Sequence, residues 1–275
     1  MVVWDIRSEQ MKAKLIVVGA GGRMGRRIVA LAIEGGRFNI VGAVERQGHP
    51  DTGKDAGIAA GAGAIGVELG SAYFGGANMV IDFSQPEATD ATVDYCERNK
   101  AGLVLGTTGL SEGQRKRIKD ASKKIACLYG TNMSVGMNVL FATVGKVAAM
   151  LGEEYDTEIV EQHHRFKKDA PSGSALTLAE KICKATGREY PDCLEMGRSG
   201  KEALRQKGKI GVHAVRAGDI TGKHDVIFST LGETVTLGHT AHSRDTFARG
   251  ALRAAEWLVS KKAGLYTMAD VLGIK

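Results

Sequence analysis

The chain has 275 residues, 43% of them hydrophobic and 25% charged, the balance of an ordinary soluble globular protein with room for two modest domains or one large one. A formal net charge of +6 suits an anionic partner, but the basic residues gather into neither a tail nor an aromatic-interleaved patch, so small anionic ligands are expected rather than nucleic acid. The first ten residues lack an apolar signal core and no segment approaches membrane-spanning length, so neither secretion nor a membrane partner is expected.

Met11 stands just before the first strand, which leaves residues 1 to 10 as a short extension. Lys14 to Val18 is an unbroken apolar run, the pattern of a strand buried on both faces. Gly19-Ala20-Gly21-Gly22-Arg23-Met24-Gly25 follows, then helical spacing to Ile33 and a second strand, Asn39 to Val44, that ends at Glu45-Arg46. Strand, glycine turn, helix, strand and acid in this order form a dinucleotide-binding fingerprint. The glycines let the backbone approach a pyrophosphate, and the helix start offers N–H groups and a favourable dipole. The spacing departs from G-x-G-x-x-G, since the sixth place is Met24 and the glycine comes at Gly25, so the flanking elements carry the reading. Glu45 is placed to accept the ribose hydroxyls. Arg46 is either a partner for the 2′-phosphate of NADP or a solvated loop arginine, so use of both NADH and NADPH is expected.

Residues 47 to 76 are rich in glycine and alanine and carry little periodicity. Strands follow at 79–83, 103–106 and 125–129, separated by helices from Pro86 to about Asn99 and from Ser111 to about Lys124. Their ends deliver Asp82 and Ser84, Gly106-Thr107-Thr108-Gly109, and Gly130-Thr131-Asn132-Met133 to one edge, where open parallel sheets bind ligands. For Asp82, bracing a loop is the safer reading. A helix over 136–151 leads out of this domain, and a strand over 155–161 opens the next. Residues 190 to 209 are polar and irregular, and mobility is expected there. Consecutive strands at 210–216, 225–231 and 234–242 mark a second, more antiparallel domain, and a closing helix at 244–261 is expected to pack back on the first. Cys96, Cys127, Cys183 and Cys193 show neither CxxC nor ligand spacing and read as reduced thiols of a cytoplasmic protein, with no metal site.

The stretch around which the chain is organised is Glu158 to Ala175, E-I-V-E-Q-H-H-R-F-K-K-D-A-P-S-G-S-A. A strand end delivers His163, His164, Arg165, Lys167 and Lys168 within six positions, and Ser172-Gly173-Ser174 opens a helix directly afterwards. Two imidazoles, three cations and a helix N-terminus suit a small, multiply charged anion with a proton donor at hand. A plain basic surface loop is the competing reading.

With G-A-G-G-R-M-G, D-F-S, G-T-T-G, N-M-S-V-G-M-N, E-x-H-H-R-F-K-K-D-A-P-S-G-S-A and V-R-A-G-D-I-T-G in place, the chain from about residue 13 closely resembles the 4-hydroxy-tetrahydrodipicolinate reductase family. The resemblance implies an α/β fold: a Rossmann-type dinucleotide-binding domain, residues 1–135 completed by 244–275, and a smaller α+β substrate and oligomerisation domain, 136–243, with a mixed sheet. It implies reduction of a cyclic dicarboxylate by NADH or NADPH in the diaminopimelate route to lysine, in the cytoplasm, by a homotetramer. His163 would protonate the ring carbon next to the one receiving hydride, and Lys167 would assist. His164, Gly173 and Ser174 would hold the substrate carboxylates. Gly19, Ala20, Gly21, Gly22, Arg23 and Met24 would take the pyrophosphate, and Glu45 and Arg46 the ribose end. Gly106, Thr107, Thr108, Gly130, Thr131, Asn132 and Met133 would line the nicotinamide half, with Arg244 as a further anion contact. Phe166 stands where many members have histidine, and Ser174 replaces the usual threonine. Of the alternatives, a semialdehyde dehydrogenase would need a nucleophilic cysteine at a loop, whereas Cys127 lies in an apolar strand. A nucleotide-sensing regulator would need a DNA-reading or partner-binding helix pair, and nothing in the chain resembles one.

Overall fold

Leu15 to Val18 form the carboxyl-terminal part of the first strand and are at most 2% exposed in the computed structural model, which describes residues 12–74 and 76–274. The extension expected at residues 1 to 10 lies outside the described residues. The chain divides into two units, the first running through Gly130 and taking in Ala248–Thr267, the second taking Thr131–Phe247 and the residues from Met268 on.

Unit 1 is built in the order β1 (Ala13–Val18), α1 (Arg23–Gly35), β2 (Phe38–Val44), α2 (Ala56–Ala59), β3 (Leu69–Gly70), β4 (Met79–Asp82), α3 (Thr89–Asn99), β5 (Gly102–Leu105), α4 (Glu112–Ala121) and β6 (Ala126–Tyr129). The strands lie parallel in the order β3-β2-β1-β4-β5-β6, and a late strand, β12 (Gly264–Tyr266), pairs with β6 at the far edge. Strand order reverses between β1 and β4, the switch point where doubly wound sheets open a crevice at their carboxyl ends. Both faces of the strands are covered, and for that reason they read as continuous apolar runs. Within the stretch that carried little periodic signal, Asp55 organises residues 57–66. Its carboxylate accepts hydrogen bonds from the N–H groups of Gly57, Ile58, Ile65 and Gly66.

Unit 2 contains α5 (Val135–Leu151), β7 (Asp156–His163), α6 (Gly173–Thr186), β8 (Leu194–Met196), β9 (Ile210–Arg216), β10 (Gly222–Thr230) and β11 (Glu233–Ala241). The sheet order is β11-β10-β7-β9-β8; β10 pairs antiparallel with both neighbours, while β7–β9 and β8–β9 are parallel. Along β7, Thr157, Ile159 and Glu161 are buried and the residues between them are not, so one face carries the core. That core joins Ile159, Val212, Val226 and Phe228 to Met137, Val144, Leu178 and Ile182 of α5 and α6.

Helix α7 (Asp245–Leu258) lies in unit 1 from Ala248 on, and buries Ala248, Ala251, Ala254, Ala255 and Leu258. The final helix, α8 (Met268–Leu272), makes its helix–helix contacts with α5, so the end of the chain belongs to unit 2 rather than to the nucleotide domain. The segment after β8, for which mobility was expected, is pinned to the sheet. Arg198 and Arg205 both reach the Glu158 carboxylate, at 2.6 and 2.9 Å, and His213 joins them at 2.6 Å. The cysteine reading also needs correction. The chain turns back at Gly187, and this brings Cys183 at the end of α6 against Cys193, to which it is disulfide-bonded. Ten residues apart, the two carry no short-spacing signal; Cys96 and Cys127 are free and buried.

Candidate active site

In unit 1 the glycine turn is shaped by close backbone approach. Gly19 has a φ of +76°, and a Cβ there would lie 2.7 Å from the Phe83 carbonyl oxygen. A Cβ on Gly25 would lie 2.0 Å from the Gly19 carbonyl oxygen, so Gly25, one place later than the usual spacing, is the residue that lets α1 close on the turn. The N–H groups of Gly19 and Ala20 donate to Val44, that of Gly22 to Gly19, and that of Gly21 to the Glu45 carboxylate at 3.0 Å. The donors of the turn that helix geometry leaves without an intrahelical partner are therefore those at the start of α1, Arg23, Met24 and Gly25. Gly22 caps this helix without a side-chain bond. A backbone cradle with no room for side chains, ending on an uncapped helix start, fits a dinucleotide pyrophosphate.

Glu45 turns inward, its second oxygen accepting from the Arg46 N–H at 2.9 Å, while the Arg46 side chain is exposed. His49, which the sequence did not single out, lays its ring over the turn; a Cβ on Gly21 would fall 2.6 Å from it. Gly106 and Thr107 are buried at the end of β5 and Thr108 is exposed. Thr107 donates its hydroxyl to Asp82 at 3.0 Å. Asp82, fully buried, also accepts from Ser84 and Thr92, which makes it a brace between two loops and helix α3. Gly130 donates its N–H to Leu105 at 3.1 Å.

In unit 2 the organising stretch folds around Glu161. This carboxylate has no exposed surface. It accepts a bidentate pair from Arg216 at 2.7 and 2.9 Å, the Ser172 N–H at 2.9 Å, and His163 Nδ1 at 2.5 Å. Strand register makes the cluster: His163 pairs across to Arg216 on β9, and His224 on β10 lies opposite Glu161. The rings of His163 and His224 meet edge to face, their centroids 5.2 Å apart. Burial acts to raise the Glu161 pKa, but Arg216, His163 and the Ser172 N–H outweigh it and hold the carboxylate below its ordinary value. Burial lowers that of His163, and Lys167 and Arg216 oppose its charging further, against the pull of Glu161. His224 is pushed down to about 4 by burial and by His163, so it stays neutral beside the Ser172 hydroxyl.

Lys167 is folded in, 2.8 Å from Asp169, with 22% of its side chain exposed. Arg165 and Lys168 are exposed on the loop. The expectation of three cations from this stretch therefore gives way to one from the loop and one, Arg216, from β9, because successive residues of a turning loop face different ways. His164 is half-buried, with Nδ1 lacking a hydrogen-bond partner among the described residues. Ser172 caps α6 through the Ala175 N–H, and a Cβ added at the exposed Gly173 would meet nothing within 4 Å, which leaves the helix start open to a ligand. Asn132 donates to the Ser174 hydroxyl at 3.0 Å, so a residue expected on the cofactor side touches one expected on the substrate side; the adjoining Thr131 is exposed and Met133 buried. Arg244 lies just before α7, its carbonyl accepting from the Phe247 N–H.

Two family models match the chain, dihydrodipicolinate reductase N-terminus over residues 13–133 and C-terminus over 136–272. A 4-hydroxy-tetrahydrodipicolinate reductase of Syntrophus aciditrophicus (strain SB) is 46% identical over 266 residues, covering 95% of this chain and 99% of that protein. That of Geotalea uraniireducens (strain Rf4) is 44% identical over 265 residues, with 95% and 99% covered. Among solved structures, a dipicolinate-bound dihydrodipicolinate reductase from Paenisporosarcina sp. TG-14 shares the fold, with a TM-score of 0.72 at 20% identity over 94% of this chain and 99% of that one. With both halves matched and the relatives covered almost end to end, this chain belongs to the dihydrodipicolinate reductase family.

Proposed function

We propose that the chain reduces 4-hydroxy-tetrahydrodipicolinate to tetrahydrodipicolinate with NADH or NADPH, the reaction for which its relatives are named. The nicotinamide, when bound, supplies the hydride. Unit 1 holds most of the cofactor: the backbone from Gly19 to Met24 takes the pyrophosphate, Glu45 and Arg46 the ribose end, and Gly106 to Thr108 with Gly130 the nicotinamide half, to which Thr131, Asn132 and Met133 at the start of unit 2 add. Unit 2 holds the substrate, its carboxylates bound by His164 and by Gly173 and Ser174 at the start of α6. His163 delivers the proton from Nε2 to the ring carbon beside the one that receives hydride, and Lys167 offsets the negative charge developing there.

One observation carries this reading: His163 and the start of α6 converge on the buried carboxylate of Glu161, and Arg216 ties that carboxylate to the loop carrying Lys167 through the Asp169 carbonyl. Such a cluster costs too much desolvation to be a solvated surface loop. Protein mixed with NADPH and the product of the preceding aldolase step should consume nicotinamide absorbance; no loss with either nicotinamide cofactor overturns the reading. Because cofactor and dicarboxylate are assigned to different units, closure on binding both is expected, and identical scattering profiles for free and doubly liganded protein would refute it.

The family resemblance also supports a homotetramer assembled through the sheet of unit 2, which light scattering during gel filtration would test, and a cytoplasmic site for a biosynthetic reaction. No helix among the described residues is long and apolar enough to cross a membrane.

A further inference from the structure

We infer that Glu161 is a positioning residue for the reaction: clamped by Arg216, it fixes the ring and tautomer of His163 so that the exchangeable proton sits on Nε2. The inference rests on the reading of His163 as the proton donor. The Glu161 carboxylate takes His163 Nδ1 on one oxygen at 2.5 Å. A carboxylate can only accept, so Nδ1 keeps its hydrogen through the cycle and Nε2 is the nitrogen that gains and loses a proton. No other described residue hydrogen-bonds Nε2, and the neighbouring position across it is Gly222, where an added Cβ would stand 3.2 Å away.

Arg216 completes the device. Its two terminal nitrogens bind both oxygens of Glu161 and one reaches the Asp169 carbonyl at 2.6 Å, which ties the carboxylate to the loop carrying Lys167. The guanidinium also neutralises the carboxylate. A bare buried carboxylate would hold His163 permanently as imidazolium and make it a poor proton donor. With Arg216 in place the pair carries no net charge, and His163 can cycle. The groups facing His163 are Glu161 on its own strand, Arg216 on β9, His224 on β10 and Lys167 from the loop. His224 is neutral at working pH and adds no charge of its own.

The signs of two substitutions then oppose each other. A general acid must be protonated to act, so kcat falls as pH rises through its pKa. Glu161→Gln removes the charge that favours imidazolium, so this falling limb should move to lower pH by about one unit or more. Arg216→Gln removes a charge that opposes imidazolium and should move the limb to higher pH. The imidazole resonances of His163, followed by NMR in the full-length free protein, should titrate with the same two displacements. If Glu161 only held the loop in place, both variants would lower stability together and leave the His163 titration where it is. An unmoved titration in both variants overturns the inference. A titration that moves while the kcat limb stays fixed overturns the catalytic part and shows instead that His163 is not the proton donor. Should Glu161→Gln fail to fold, Arg216→Gln decides by itself: an upward displacement supports the inference and none defeats it.

Discussion

Strands β4 and β7 each deliver a fully buried carboxylate near their carboxyl ends, Asp82 in unit 1 and Glu161 in unit 2, and the chain surrounds the two differently. Asp82 is met by neutral donors: the Ser84 N–H and the hydroxyls of Ser84, Thr92 and Thr107. Glu161 is met by a guanidinium, an imidazole and one backbone N–H. Hydroxyls can turn and become acceptors, so the first arrangement ties loops together whatever the charge at its centre. A guanidinium cannot accept, and an imidazole changes charge near neutral pH, so the second couples loop structure to proton exchange. Burial alone does not distinguish a brace from a reactive cluster; the chemistry of the partners does.

Removing the group that exchanges the proton has the largest expected effect. His163→Gln should lower kcat by about a hundred- to ten-thousandfold while cofactor affinity, measured by fluorescence titration, stays nearly unchanged. An active His163→Gln enzyme would remove His163 from the chemistry. Lys167→Ala should cost a comparable factor in kcat, and unchanged turnover would reduce Lys167 to a partner of Asp169.

Acid titration of stability separates the two clusters next. His224 has a folded pKa of about 4 against 6.5 in the unfolded chain, so between these values the unfolded form binds the extra proton. Stability from this residue is intact above pH 6.5 and is lost as pH falls towards 4, amounting to about 3 kcal/mol. Glu161, held below its ordinary value, adds a loss in the same direction at lower pH, as pH drops from the unfolded carboxylate range through its folded value. Denaturant midpoints measured across this window should fall with acidity, and His224→Gln should flatten the slope between pH 6.5 and 4. An equal slope in that variant would assign the acid sensitivity elsewhere.

What was legible in the chain follows the range of the forces that make each feature. The nucleotide unit could be read from local runs because a doubly covered parallel strand must be apolar throughout, and the glycine turn carries its own backbone constraint. The short β12 and α8 left no such trace, with three and five residues and no sustained period. His163 and Lys167 stood out as charged residues crowded beside a helix start. Their supports did not, because Glu161, Arg216 and His224 meet only through the register of β7 with β9 and β10. One hint was present: Glu161 has the same parity as Ile159, so a strand with one buried face had to bury a charge there. The Arg198 and Arg205 clasp on Glu158 is a long-range closure of the same kind and leaves an irregular polar composition as its only trace, while the Cys183–Cys193 bond spans ten residues across the Gly187 turn and has no short-spacing motif.

The smallest effect is expected at Asp82, and it tests the reasoning about partners most directly. In Asp82→Asn the amide oxygen can keep the Ser84 N–H, and the new NH2 group can face a threonine hydroxyl that turns from donor to acceptor. Only the difference between a charged and a neutral hydrogen bond is lost, so the cost should be about 1 kcal/mol, read from the denaturant midpoint, with little change in kcat. Asp82→Ala has no such recourse. It strands the Ser84 N–H and the buried Thr107 hydroxyl, while Thr92 keeps the Ala88 carbonyl, and should cost more than the amide variant, within about 1–3 kcal/mol for each donor left unmet. If the two variants destabilised the protein equally, reversible hydroxyls would not explain the brace. Asp82 would then resemble Glu161 in depending on its charge.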